Sequence, residues 1–187
     1  MMEKVFQSGV FHKARFVASP NFDQRPAGIH PEVIIIHSIS LPPGEYQGDF
    51  VEQFFCNQLN SKDHPYFEEI SDLKVSSHFF IRRNGELIQF VKTDNRAWHA
   101  GVSNCLGRDC VNDFSIGIEL EGWDEANDGF TNIQYQILTD LCAELIEYYD
   151  MNKSNIFSHS DIAPERKNDP GPYFDWQRLD ALLNNKK

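Results

Sequence analysis

No stretch of this 187-residue chain approaches the roughly 20 consecutive apolar residues of a membrane-spanning helix, so an integral helical membrane protein is excluded. The opening Met1-Met-Glu-Lys-Val-Phe-Gln-Ser-Gly9 has neither the basic region nor the apolar core of a secretory signal, and the expected compartment is the cytoplasm. Positive charge is also short: 17 Lys and Arg stand against 28 Asp and Glu, a net charge of −11. Nucleic acids and anionic membranes call for basic patches, so neither is an expected partner; an uncharged or locally recognised small molecule is. Internal repeats, low-complexity tracts, linkers and coiled-coil seams are missing, which leaves one domain over residues 1–187 and a monomer as the expectation. Cysteine is sparse and forms no Cys-x-x-Cys pair. Cys56, Cys105, Cys110 and Cys142 are therefore expected as free thiols, with Cys142 on the apolar stripe of a helix.

What is present suits a sizeable core, with 41% hydrophobic and 13% aromatic residues. Val33-Ile-Ile-Ile36 is too short for a helix and too continuously apolar for a half-exposed strand, so it reads as a strand buried on both faces, ending at His37. Ser77–Arg83 and Glu86–Val91 flank Asn84-Gly85, the pair best suited to a two-residue hairpin turn. Ser115-Ile-Gly-Ile-Glu-Leu120 alternates: Ile116, Ile118 and Leu120 share one face, and Ser115, Gly117 and Glu119 the other. Thr131 and Gln134 make a capping box for a long helix through Tyr135, Leu138, Cys142, Leu145 and Tyr149. Asp49 with Glu52, and Asp175, open shorter helices. Residues 24–31, 41–48 and 101–113 read as polar loops. Interleaved strands and helices with at least one hairpin predict a single α/β (α+β) domain, a mixed central sheet flanked by helices.

Chemistry concentrates near the C-terminus, in His159-Ser-Asp-Ile-Ala-Pro-Glu-Arg-Lys167-Asn-Asp169-Pro-Gly-Pro172. The prolines and glycine there leave little room for regular structure and predict a rigid loop. A catalytic zinc needs about three protein ligands and an open position. His37 at a strand end, His159 and Asp169 are the best-placed candidates. Lys167 and Asp169, two residues apart in an extended segment, point the same way. A water beside such a site could lose its proton to Glu119 while Lys167 compensates the developing oxyanion. Taken singly, each residue has a plainer reading: a hydrogen-bonded strand-end histidine, a turn carboxylate before proline, a solvated lysine and a surface glutamate. Trp98 and His99 either line a sugar cleft or pack internally. His78 reads as a hydrogen-bonded core histidine.

The runs VIIIHSISLPP (33–43), RAWHAGVS (96–103), NDFSIGIELEG (112–122) and HSDIAPERKNDPGPYFDW (159–176) resemble the AmpD family, cytoplasmic N-acetyl-anhydromuramyl-L-alanine amidases of peptidoglycan recycling. The resemblance covers about 17–176. It implies the fold of the zinc amidases and peptidoglycan recognition proteins, Zn2+ on His37, His159 and Asp169, and Glu119 and Lys167 as catalytic residues. It further implies a small muropeptide as substrate, with Ser38, Lys74, Trp98 and His99 as candidates for binding it. His12, His30 and His64 lie outside the matching blocks and receive no role. Three departures touch affinity rather than metal chemistry. Ser38 stands where many members have Asn, Cys110 where several have Arg, and Lys74 where close members have Arg, which keeps the charge but loses the planar fork. Two alternatives remain in view: a non-catalytic peptidoglycan-binding module of the same fold, disfavoured by the complete residue set, and an amidase acting on intact cell wall, which would need export.

Overall fold

The computed structural model describes residues 5–125 and 127–186. In chain order the strands are β1 (Phe6–Gln7), β2 (Val10–Phe11), β3 (Arg15–Phe16), β4 (Phe22–Gln24), β5 (Val33–Ile39), β6 (Phe79–Ile81), β7 (Leu87–Gln89), β8 (Asn95–Ala97), β9 (Asn104–Cys105), β10 (Arg108–Asp109), β11 (Ser115–Glu121) and β12 (Ile156–Ser158). The helices are α1 (Phe50–Phe55), α2 (Pro65–Ile70), α3 (Asn132–Tyr149), α4 (His159–Ile162) and α5 (Trp176–Asn184), with a 3-10 turn at Val111–Asp113. Six strands form the central sheet in the order β12-β5-β11-β6-β7-β3. The first four run parallel, β6 and β7 pair antiparallel, and β3 joins β7 parallel, so the sheet is mixed as expected.

Period-two alternation divides the sheet into an apolar face and a divided one. Ile34, Ile36, Ile116, Ile118 and Leu120 pack with Phe79 and Ile81 against Leu138, Leu141, Cys142 and Leu145 of α3 and Leu179 and Leu183 of α5. On the opposite face, Phe80 and Ile88 sit with Val51, Phe54, Phe55 and Phe67 of α1 and α2. Val33 and Ile35 form a separate cluster there with Ala100, Val111, Phe114 and Ile162. The same alternation puts His37 and Glu119 on this divided face. Each fully buried Ile, Leu or Phe is worth about 1.5–3 kcal/mol, so a one-residue slip that turned the aliphatics around would be prohibitive. Hydrophobic burial therefore fixes which way the polar pair points.

Capping explains the helix starts. Thr131 Oγ1 accepts from Gln134 N at 3.3 Å and Thr131 N donates to Gln134 Oε1 at 2.9 Å, the expected capping box. Gln134 Nε2 also donates to the carbonyls of Ile81 and Glu121, tying α3 to the ends of β6 and β11. Asp175 accepts from Arg178 N at 2.9 Å and opens α5. Asp49 precedes α1 as expected but makes no side-chain cap; its carboxylate accepts from Arg82 at 2.9 Å, and Glu52 is engaged by Arg82 and Arg15. An ion-pair network has taken the acids that the sequence offered as capping groups. α2 escapes the sequence reading because its cap is an imidazole: His64 Nδ1 accepts from Tyr66 N at 3.1 Å, with Pro65 in the first turn.

Two loop expectations need correction. The segment after His159 begins with a helical turn, α4, because Ser158 and Asp161 form a capping box before Pro164 stops it. Asn84-Gly85 does not form a two-residue turn. Gly85 N donates to Arg82 O and Arg82 N to Glu86 O, both at 2.9 Å, and Gly85 (φ +89°) supplies the left-handed residue of a three-residue loop. Arg83 is occupied elsewhere, its N–H on Glu121 Oε2 and its carbonyl on Thr131 Oγ1, which holds the turn against the sheet and α3. The two-residue turn with both residues at positive φ appears instead between β9 and β10, at Leu106 (φ +54°) and Gly107 (φ +78°), inside the span 101–113 that reads as a polar loop. Leucine is a poor left-handed residue and this one is 66% exposed, so its side chain returns little packing. Leu106→Asn should raise stability by about 0.5–1 kcal/mol, read as a higher urea midpoint at unchanged slope; a lower midpoint would mean that Leu106 packs in solution.

Candidate active site

Three elements bring the candidate ligands together. β5 carries His37, the β12–α4 junction carries His159, and Asp169 is held by its own carbonyl accepting from Ser160 N at 3.1 Å. His37 Nδ1 and His159 Nδ1 lie 2.9 Å apart, and each is 3.1 Å from Asp169 Oδ2. Tetrahedral metal bonds of about 2.0–2.1 Å imply ligand edges of roughly 3.3 Å, close to this triangle. Proton bookkeeping also fits. His159 Nε2 can only donate to the Ala100 carbonyl, 3.2 Å away, which leaves a lone pair on the inner Nδ1 of the neutral ring. Burial depresses the His37 pKa to about 4, so that ring is neutral near pH 7. Burial alone would raise the Asp169 carboxyl, but hydrogen bonds with His159 and His37 outweigh it and hold the group well below the usual carboxylate range. Two neutral imidazoles and one carboxylate facing a common point can hold a metal ion, and no other such grouping of His, Cys, Asp and Glu occurs among the described residues.

Glu119 lies directly across the parallel ladder from His37. Only 8% of it is exposed, and its Oε2 has no hydrogen-bond partner. Burial, then the charge of Asp169, pushes its pKa well above the ordinary value, against the opposing pull of Lys167. Glu119 and Lys167 share with the three ligands a cleft of about 420 Å³. Its walls are unlike: Leu41, Tyr66, Ile70 and Val75 are on the side of α1 and α2, whereas Trp123, Arg166 and Lys167 supply polar and aromatic groups. A buried carboxyl with a free oxygen beside a potential metal can exchange a proton with water in the cleft.

Ser38, Trp98 and His99 also line the cleft. Lys74 is exposed and is not among the residues that line it, and neither is Cys110, which is exposed at φ +57°. His78 is the satisfied core histidine expected: Nδ1 accepts from Gly117 N at 3.0 Å, Nε2 faces Asn95 O at 3.1 Å, and burial lowers its pKa to about 3. The four cysteines are unpaired, as expected. Sequence reasoning missed three supports. Asn112 Oδ1 accepts from His99 N and Ala100 N, Arg166 donates to the carbonyls of Ala100 and Val102, and the half-buried Arg25 guanidinium donates to the carbonyls of Thr93, Asn112, Asp113 and Ser115. Asn112 and Arg166 stand inside the family-like blocks, whereas nothing around Arg25 marks it.

The raised pKa of Glu119 has a measurable consequence in metal-free protein. A carboxyl whose folded pKa exceeds its unfolded one favours folding below the unfolded value, and that advantage fades as pH rises toward the folded value. Glu119→Gln, which cannot ionise, should therefore match the parent below about pH 4 and exceed it by about 1 kcal/mol or more at pH 8. Denaturant titrations of chelator-treated proteins at both pH values test this. A gain independent of pH would assign the effect to packing.

The sequence matches the family model described as Amidase_2: N-acetylmuramoyl-L-alanine amidase, over residues 27–172. It is 49% identical over 171 residues to the 1,6-anhydro-N-acetylmuramyl-L-alanine amidase AmpD of Salmonella typhimurium (strain SL1344), covering 91% of this chain and 90% of that protein. The fold matches a crystal structure of a selenomethionine AmpD derivative with a TM-score of 0.92 at 48% identity, covering 95% of this chain and 98% of that one. It also matches, with a TM-score of 0.60 at 30% identity over 85% of this chain and 60% of the other, the Escherichia coli amidase AmiD in complex with the substrate anhydro-N-acetylmuramic acid-L-Ala-D-gamma-Glu-L-Lys. These likenesses establish that the chain belongs to the N-acetylmuramoyl-L-alanine amidase family, among its AmpD members.

Proposed function

We propose that this protein hydrolyses the amide between N-acetyl-anhydromuramic acid and L-alanine in soluble muropeptides, as a zinc-dependent amidase of peptidoglycan recycling. The observation that carries the reading is the unpartnered carboxyl oxygen of Glu119 beside the convergent triangle of His37, His159 and Asp169. A binding module has no use for a buried carboxyl held at a raised pKa, whereas a proton-transfer catalyst does. His37, His159 and Asp169 would hold the zinc ion, which supplies Lewis acidity toward the amide carbonyl and lowers the pKa of water. Glu119 takes the proton of the attacking water and returns it to the leaving alanine nitrogen. The Lys167 ammonium offsets charge that develops on the carbonyl oxygen. Ser38 and Trp98 face the substrate in the cleft, Trp98 offering an aromatic surface to a sugar ring. Lys74 can meet only a substrate that extends beyond the cleft.

Soluble fragments suit the charge. At −11 the protein is repelled at long range by an anionic cell wall. Four unpaired thiols suit a reducing cytoplasm, and no helix among the described residues is long and apolar enough to cross a membrane. We take the working unit to be the monomer.

Two measurements test this reading. His159→Ala should lose tightly held zinc and activity together, whereas Glu119→Ala should keep zinc and lose about a hundredfold or more in kcat. Zinc retained at full stoichiometry in active His159→Ala would sink the ligand assignment. The second compares kcat/KM for 1,6-anhydro-muramyl-tripeptide, its reducing-sugar counterpart and purified cell wall. The anhydro compound should be cleaved fastest; intact wall cleaved as fast would leave a zinc amidase but remove the recycling role.

A further inference from the structure

His99 lines the cleft, yet neither of its ring nitrogens is free for a ligand. Nδ1 lies 2.9 Å from His37 Nε2, and Nε2 lies 3.1 Å from Ser115 Oγ. The two rings meet nearly at right angles, 83° between planes with centroids 5.0 Å apart, so the nitrogen of one points at the edge of the other. Proton direction follows from the inner end. If His37 presents a lone pair at Nδ1, its proton is on Nε2 and is donated to His99 Nδ1. His99 must then carry its own proton on Nε2, for which Ser115 Oγ is the acceptor. The chain from Ser115 through His99 to His37 thus has one self-consistent direction, with the lone pair at its end facing His159 and Asp169.

We propose that His99 is a positioning residue that fixes the ring orientation and tautomer of His37 for metal binding, rather than a substrate contact. The inference rests on the metal reading above and adds a residue to it. Three observations converge on the role. First, Gly117 is cut to fit the ring: a Cβ there would lie 2.6 Å from His99 Cγ, so β11 gives up a side chain at the one place where the imidazole crosses it. Second, Asn112 Oδ1 accepts from both His99 N and Ala100 N, at 3.1 and 2.9 Å, and clamps the backbone that carries the ring. Third, the next residue does the same for the other imidazole, the Ala100 carbonyl accepting from His159 Nε2 at 3.2 Å. One dipeptide, His99-Ala100, therefore orients both histidines. Metal-bound histidines generally need such an outer partner, and its loss typically costs 10–100-fold in metal affinity. A neutral imidazole as partner places no negative charge behind His37, which leaves the metal a stronger Lewis acid than a carboxylate partner would.

The test measures zinc affinity of substrate-free protein by competition with a chromophoric chelator, beside kcat and KM at saturating zinc. His99→Ala should bind zinc about 10–100-fold more weakly with KM for 1,6-anhydro-muramyl-tripeptide near that of the parent. His99→Asn, whose amide oxygen can accept near the place of Nδ1, should recover most of the affinity. Ser115→Ala, which leaves the packing of the ring over Gly117 intact, should weaken zinc in the same direction by a smaller factor and keeps the question answerable if His99→Ala fails to fold. Parent-like zinc affinity in His99→Ala or, should that variant not fold, in Ser115→Ala, overturns the proposal, and a raised KM alongside it would make His99 a substrate contact. A parent protein that takes up no zinc would overturn the metal reading itself.

Discussion

Parallel pairing of β5 with β11, in a register that sets Val33 beside Ser115 and runs without a bulge to Ile39 beside Glu121, decides where the polar groups of the cleft lie. His37 and Glu119 are each the fifth residue of a seven-residue strand, so a ladder anchored at its start delivers them side by side. The anchor is visible in the backbone: Glu32 N and Val33 N both donate to Phe114 O, just ahead of β11. Aliphatic side chains between these polar residues bind the sheet to α3 and α5, and their burial locks the register against slippage. Both groups thus open toward the carboxyl ends of parallel strands, where open α/β sheets form their ligand crevices.

The constraint carries a cost in stability. Glu119 is held with an oxygen that finds no partner, and burial disfavours the charged form of His37 despite the nearby Asp169 carboxylate. A leucine at position 119 would suit folding better. The sheet tolerates the polar residues because the surrounding clusters over-determine the backbone: one side of the same face is closed by α1 and α2, the other by Val111, Phe114 and Ile162. The cleft is the strip left between two apolar patches that do not meet.

Much of this was legible in the sequence because it follows short-range rules. Alternation in 115–120 placed Glu119 opposite the aliphatics, and the Thr131 capping box marked the start of α3. His37, at a strand end, and His159 and Asp169, in a Pro-rich segment, are chemically apt as ligands, and they do converge. What escaped depends on long-range partners. Asp49 and Glu52 have the composition of a helix cap, but Arg15 and Arg82 arrive from elsewhere in the chain and take them. The Asn84-Gly85 turn is reshaped by Glu121 and Thr131, which bind Arg83 from distant positions. Arg25, whose guanidinium gathers four carbonyls around β11 and β8, is one arginine among many until the fold is known.

Ser38, Lys74 and Cys110 fall outside the hydrogen-bonded frame around the triangle of His37, His159 and Asp169. The rings of His37 and His159 are met by a hydrogen-bonded frame of Ser115, His99, Ala100 and Asn112. Cys110 and Lys74 are exposed and do not line the cleft, and Ser38 lines it half-buried beside His37 without joining the frame. Substitutions at such positions should leave the distances among His37, His159 and Asp169 unchanged. Gly117, Asn112 and His99 belong to that frame instead: Gly117 makes room for the His99 ring, Asn112 holds the backbone of His99 and Ala100, and His99 meets His37. The frame around the His37, His159 and Asp169 triangle is thus separable from the outer residues Ser38, Lys74 and Cys110, so those positions can diverge while the triangle is kept.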